Sequence, residues 1–283
     1  MTDTSLDLSG KLDLLREQVF RDVAGAAAAL GVSFFVVGAC ARDLLLGLFY
    51  GLPIRRATND IDFGIRVETW EEFEGLKATL TRTGKYAPDP YRLQRLSSAD
   101  GTFIDIVPFG GIEDAETRHI AWPPDQSIAM NALGFEEAYQ QAVKIRFAID
   151  LEVRVSSLAG LVLMKLIAWK DRQQVKDAKD LKLIISEYLR AGNQERLESG
   201  EHSDLLSEEL FSSVELTSAR LLGRDVGLLL TNQSQRAVLE ILEEPTALAA
   251  GMAAGTIEID EAFERAAQLL EMLGQGMMDV LNE

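Results

Sequence analysis

The stretch ATNDIDFGI, residues 57 to 65, restricts what this chain can become more than any other. Asp60, Ile61, Asp62 and Phe63 alternate with the period of two that belongs to a strand, so both carboxylates share one face and both apolar side chains the other. The segment reads as a strand with the core on one side and a negatively charged mouth on the other. Some twenty residues earlier, SFFVVG reads as a short buried strand. ACARDLLLGLFYGL then follows as a helix with Leu44, Leu45 and Leu48 toward the core. Between that helix and the acidic strand, PIRRATN carries a proline, two arginines and turn-prone polar residues, and is expected to be a loop.

The flanking segments follow the same local rules. Leu12, Leu15, Val19, Val23 and Ala26 or Ala27 recur at helical spacing, so residues 10 to 30 are predicted to form an amphipathic helix ended by Gly31. Thr69, with Glu72 three residues on, has the capping-box pattern for a helix over TWEEFEGLKATLTRTG. Asp100-Gly101 separates two β-like runs, YRLQRL and TFIDIVPF, which predicts a hairpin. Short strands are expected near AYQQAVKIRFAID, with loops around Pro123 and Pro124. From Ser156 onward the pattern is helical almost throughout, which places a domain boundary near residue 150 and predicts domains over 1–150 and 151–283.

Composition sets outer limits. Apolar residues at 47% and charged residues at 26% are ordinary for a globular chain, and no apolar run approaches a membrane span. The opening MTDTSLDLSGKLDLL has no basic and apolar signal-like start, and Cys40 is the one cysteine. Both facts point to a cytoplasmic protein without disulfides. The net charge of −17 argues against nucleic acid at first sight. However, residues 195 to 283 hold 18 acidic and 5 basic side chains, so the first 194 residues carry only −4. Such an acidic tail is the usual signature of solvated helix faces.

Asp105 stands between Ile104 and Ile106 in FIDIVPF, so it faces the polar side of its own strand. If that strand lies beside the first, Asp60, Asp62 and Asp105 converge. Like charges repel by about 4 kcal/mol per pair at 4 Å and an effective dielectric near 20, and a hard divalent cation compensates for this. Mg²⁺ prefers oxygen ligands and shares its shell with substrate phosphates. A lone D-x-D is commonly a turn or a solvated edge, and that reading stays open on the pair alone. Gly38, Ala39 and Cys40 form a small-residue turn where backbone amides can approach a phosphate at a helix N-terminus; tight packing explains them equally well. Arg42 and Asp43 read either as part of such a site or as a surface pair, and Lys165 reads by itself as an outward helix lysine. An EF-hand is disfavoured by the missing third acid before Gly64 and the missing terminal Glu. His119 and His202 lack ligand partners at useful spacing, and Cys40 reads as a small turn residue, so zinc and thiol chemistry find no support.

Taken together, VVGACARDLLLG, RRATNDIDFGI and FIDIVPFGG resemble the nucleotidyltransferase superfamily that includes the polymerase-β-like and CCA-adding enzymes. The basic-Thr segment before D-I-D is most similar to the AbiEii-type abortive-infection toxins. Downstream, LMKLIAWKDRQQVKDAKDLKLI resembles their Lys and K/R-D-x-x-D-L element through Lys165, Arg172, Lys176, Asp177, Asp180 and Leu181. The motifs cover roughly residues 34 to 185. One departure is Ala39, where the pattern usually has Gly or Ser and a hydroxyl could meet phosphate.

The resemblance implies an α+β fold, with an N-terminal nucleotidyltransferase-like mixed sheet flanked by helices and a C-terminal helical domain. It implies transfer of a nucleoside monophosphate from a nucleoside triphosphate to a hydroxyl on RNA, tRNA or protein, with one or two Mg²⁺ ions held by Asp60, Asp62 and Asp105. Asp105 would also help deprotonate the acceptor. Gly38, Ala39, Cys40, Arg42, Thr58 and Lys165 would bind the nucleotide, and Asp180, or else Asp177, would assist as acid/base or positioning group, with Lys165 and Asp180 supplied across a cleft. A cognate antitoxin is an implied partner. The basic stretch 165–182, six Lys/Arg against three Asp, suits triphosphate or RNA, although Trp169 alone offers base stacking. A nucleotide-binding protein without turnover, and a transferase acting on an aminoglycoside-like small molecule, are the alternatives.

Overall fold

The computed structural model describes residues 5–54, 58, 60–124, 126, 128–206 and 213–282, and the chain divides into two compact units, Met1–Ser157 and Leu158–Glu283. In the first unit, strand β1 (Leu6–Asp7) precedes helix α1 (Leu14–Leu30). Asp13 caps α1 by accepting the Arg16 N–H, and Gly31 ends it at a φ of 69°. Val19, Val23, Ala26 and Ala27 are buried as their spacing predicts, together with Phe20, whereas Leu15 is exposed. Strand β2 (Ser33–Val37) runs into α2 (Gly38–Arg42), which continues as a π-helical stretch, Asp43–Phe49. Of the loop expected over 53–59, Arg55, Arg56, Ala57 and Asn59 lie outside the described residues.

Strand β3 (Ile61–Val67) leads to α3 (Trp70–Thr81). Thr69 caps α3 by accepting the Glu72 N–H, but the Glu72 carboxylate reaches back to the Glu68 N–H, one residue beyond the reciprocal partner of a capping box. Then come β4 (Tyr86–Pro88), β5 (Arg95–Ser98), β6 (Phe103–Gly110), β7 (His119–Trp122), β8 (Ile128–Asn131), α4 (Phe135–Gln140), β9 (Val143–Ala148) and β10 (Leu151–Val155). The hairpin at Asp100-Gly101 forms, although only the end of YRLQRL joins it. Tyr139 and Gln140 are helical rather than extended.

Among the described residues, eight strands make one mixed sheet in the order β1-β9-β10-β2-β3-β6-β5-β4, and β7 pairs with β8 apart from it. Alternation gives the sheet two distinct faces. Val36, Ile61, Phe63, Ile65, Ile104 and Ile106 are buried on the face covered by α1 and α3, where the Phe20 ring meets Phe63 at 5.9 Å. Each such side chain contributes about 1.5–3 kcal/mol on burial. The opposite face carries Phe35, Phe109 and the rings of α4 toward one end, with Phe35 lying over Gly64, where a β-carbon would collide with its ring. The acidic residues take the other end of that face.

In the second unit, α5 (Leu158–Arg172), α6 (Val175–Glu187), α7 (Gln194–Glu198), α8 (Val214–Gly227), α9 (Asn232–Glu243), α10 (Thr246–Ala253) and α11 (Ile259–Leu281) form an all-helical body. Helices α8 and α11 touch backbone to backbone at Gly223 and Gly276. A β-carbon on Gly276 would stand closer than 3.0 Å to the Arg220 carbonyl. Gly276→Ala therefore gains helix propensity but forces two helices apart. It is expected to cost about 2 kcal/mol net and lower the thermal midpoint by roughly 4–8 °C, as read by calorimetry.

Candidate active site

The acidic mouth is built by strand register. Val37 of β2 stands opposite Asp62 of β3, Asp62 beside Asp105 of β6, and Asp105 opposite Arg95 of β5. Register partners point to the same face, so two carboxylates and a guanidinium form one row across three strands. Asp60, two residues before Asp62, belongs to the same side. The sheet thus gathers Asp60, Asp62 and Asp105 as the alternation predicts.

Gly38 follows Val37 and borders the row. Its φ is +65°, and a β-carbon there would stand closer than 3.0 Å to Asp62 Oδ2. Glycine is required twice over, by backbone conformation and by the carboxylate packed against its Cα. Cys40 is buried at the next turn, and burial pushes its thiol up to about 12, which suits a packing residue and not a nucleophile.

Arg95 is the residue that sequence reasoning missed. Its Nε donates to Asp105 Oδ1 at 2.8 Å, and its Nη2 donates to Asp105 Oδ2 at 2.6 Å and to Asp60 Oδ2 at 3.4 Å. The guanidinium carbon lies 4.6 Å from the centre of the Phe103 ring. The hydrogen bonds to Asp105, and the charges of Asp105, Asp60 and Asp62, keep this side chain protonated more firmly than usual. The signal was available: Arg95 and Asp105 lie five residues either side of Asp100, so the recognised hairpin pairs them directly.

A second layer holds Thr58. Asp43 accepts its N–H at 3.2 Å, Arg16 donates to its carbonyl at 2.6 Å, and its own Oγ1 accepts the Asp60 N–H at 3.2 Å. The Asp43 carboxylate also accepts Arg42 Nε at 2.8 Å. Arg42 and Asp43 are therefore a pair, as one reading had it, but a buried one. The Arg42 guanidinium thus reaches the segment that carries Asp60 through Asp43, which takes the Thr58 N–H as well.

Within the second unit, Lys165 on α5 pairs with Asp177 at 3.0 Å and Asp180 at 2.6 Å, and Arg172 donates to Asp177 at 2.8 Å. Lys165 is 11% exposed, so it is not the outward helix lysine of its simplest reading. Asp177 is fully buried. Burial pushes its carboxyl up, but the Arg172 hydrogen bonds and the charges of Lys165 and Arg172 outweigh that and hold it below the usual 3.8. A depressed carboxylate contributes stability above its unfolded value and loses it as pH falls. Arg172→Met should therefore destabilise the protein by about 1–3 kcal/mol at pH 7, with the gap to wild type closing below about pH 4 in melts run across pH. The basic stretch is thinner than its sequence implies: Lys165 and Arg172 are committed to these aspartates and Lys170 to Glu240, leaving Lys176 and Lys179 exposed.

Among the described residues, no three His, Cys, Asp or Glu side chains converge as they stand on a point that would hold a metal ion. The donor set nevertheless fits one. It consists of carboxylate oxygens only, Asp62 and Asp105 are register neighbours, and the cluster already surrounds a cation, the Arg95 guanidinium.

The profile of the family described as "Nucleotidyl transferase AbiEii toxin, Type IV TA system" matches residues 23–268. No curated protein matches the chain by sequence. Among solved structures, the antibiotic-resistance factor ANT(2'')-Ia is 18% identical at a TM-score of 0.37, covering 68% of this chain and 98% of that one. An antigenic nucleotidyltransferase-like protein from Paracoccidioides brasiliensis is 16% identical at 0.38, covering 71% and 93%. The Thermotoga maritima CCA-adding enzyme complexed with tRNA is 13% identical at 0.31, covering 96% and 84%. Scores this low say nothing about substrate. No helix among the described residues is long and apolar enough to cross a membrane.

Proposed function

We propose, for a chain that belongs to the AbiEii nucleotidyl transferase toxin family, that it transfers a nucleoside monophosphate from a nucleoside triphosphate to an RNA hydroxyl, in the cytoplasm and with Mg²⁺. The observation that carries this reading is the row formed by Asp62 and Asp105, with Asp62 packed against the Cα of Gly38 and Asp60 at its entrance. Asp60, Asp62 and Asp105 would hold the metal. When bound, the metal supplies charge neutralisation for the triphosphate and for the transition state.

The chain's own residues do the rest by position and charge. Gly38 lets the chain pass close to the Asp62 carboxylate, and the backbone N–H groups of Ala39 and Cys40 would meet phosphate oxygens, so Ala39 needs no hydroxyl. Asp105 takes the proton of the acceptor hydroxyl. The acceptor oxygen then bonds to the α-phosphorus, the bond from that phosphorus to the β-phosphate bridge breaks, and pyrophosphate leaves with the electron pair. Thr58, Asp43, Arg16 and Arg42 hold the segment bearing Asp60. Lys165 is assigned charge neutralisation and Asp180 its positioning, on the family resemblance and their 2.6 Å pair.

Within the second unit, exposed Lys176 and Lys179 suit a polyanion, and the choice of RNA over an aminoglycoside is part of the proposal. Toxicity and a protein antitoxin follow from the family and belong to the same proposal. The test is incubation of the protein with Mg²⁺ and each labelled triphosphate, alongside total tRNA in one arm and aminoglycosides in the other. Label on RNA with stoichiometric pyrophosphate supports the reading. Label only on the aminoglycoside replaces the acceptor, and nucleotide binding without pyrophosphate release selects a protein that has lost turnover.

A further inference from the structure

The Arg95 guanidinium stands where a metal would be expected. It uses both oxygens of Asp105, reaches Asp60 at 3.4 Å, and feels the charge of Asp62. The side chains of Arg95 and Asp105 are only 12% and 14% exposed, so this pair is poorly screened by water. Asp60, at 42% exposed, meets the guanidinium at the longer distance of 3.4 Å. A surface salt bridge would not be stacked on an aromatic ring, register-locked to its partner, and shared between two carboxylates.

We propose that Arg95 is a resident counter-ion which occupies the carboxylate cluster in the metal-free protein and competes with the divalent cation for Asp105 and Asp60. The inference rests on the reading of Asp60, Asp62 and Asp105 as the metal-holding set. Two positive groups cannot share these oxygens without strong repulsion, so metal entry requires the guanidinium to give up its fork on Asp105. The carboxylates stay gathered when no metal is present, and metal affinity without nucleotide is held down. Triphosphate then strengthens metal binding by adding the oxygens and negative charge that the free site lacks. Arg95 is on this account a positioning residue that tunes the site, and its effect is opposite in sign to that of a structural ion pair.

The test is metal binding without nucleotide. Mn²⁺ is titrated into wild type, Arg95→Met and Arg95→Lys at fixed ionic strength, followed by electron paramagnetic resonance and by calorimetry. Removal of the competing charge in Arg95→Met should tighten Mn²⁺ binding by at least about tenfold. Arg95→Lys, which keeps the charge and loses the fork, should fall between Arg95→Met and wild type. In melts, Arg95→Met should be less stable than wild type in EDTA and should regain most of the difference at saturating Mn²⁺. Should Arg95→Met fail to fold, the order of Arg95→Lys and wild type decides. Unchanged or weaker Mn²⁺ binding in the Arg95 variants overturns the inference, as does absence of binding in all three proteins. Transfer by the wild type with Mg²⁺ and triphosphate is scored separately, so the enzyme assignment survives if only the Arg95 competition fails.

Discussion

Replacing Asp60 and Asp62 together by alanine should reduce nucleotidyl transfer by at least about a thousandfold while moving the thermal midpoint by no more than about 3 °C. The asymmetry follows from where these groups lie. Neither carboxylate contributes to the apolar layer, which Ile61, Phe63 and Ile65 form from the other face of the same strand. Asp60 gives Arg95 a single contact at 3.4 Å and is 42% exposed, whereas Asp105 keeps the two shorter hydrogen bonds that satisfy the guanidinium. Removing Asp60 and Asp62 also relieves repulsion within the cluster, which offsets part of any lost contact. Pyrophosphate release and a circular dichroism melt on the same preparation read both effects. Transfer retained in the folded double variant refutes the assignment of these carboxylates.

The second large effect is expected at Gly38. An alanine there must hold a φ of +65°, which costs about 1–2 kcal/mol, and its methyl group must also displace the Asp62 carboxylate. Gly38→Ala should therefore lose transfer nearly as completely as the aspartate variants and, unlike them, lose stability by about 2–4 kcal/mol. The two causes separate in a double-mutant cycle. In an Asp62→Ala background the clash with the carboxylate is removed and only the 3.2 Å approach to the residue-62 β-carbon is left, so the stability cost of Gly38→Ala should shrink toward the conformational part. A cost that is the same in both backgrounds shows that Asp62 is not what Gly38 accommodates.

Much of the first unit was legible because its signals are local. The period of two in DIDFGIRV and FIDIVPF puts the three aspartates on one side of their strands. Asp13, Thr69 and Gly31 mark helix ends by hydrogen bonds made within a few residues. Where local signals compete, the reading fails. Tyr139 and Gln140 sit in a helix although their segment alternates in places, because the rings of Phe135 and Tyr139 pack on Phe35 and Phe109. Leu15 fits the helical stripe of α1 yet is exposed, while Phe20, three residues before Val23 and seven before Ala27 but left out of the sequence reading, fills the space against Phe63 and Phe147.

The sequence by itself determined the kind of site: oxygen ligands paired on a strand, a glycine turn before a helix, and motifs that resemble a transferase family. Tertiary structure alone decided that Asp62 and Asp105 are register neighbours and that Thr58 is clamped at both backbone ends. It also placed Arg95 among the carboxylates. Side-chain alternation is a property of one strand and survives in the sequence. The partner of a half-buried charge is chosen by inter-strand hydrogen bonds that join residues 10 (Arg95 and Asp105) and 43 (Asp62 and Asp105) positions apart, and that choice is made only when the sheet closes.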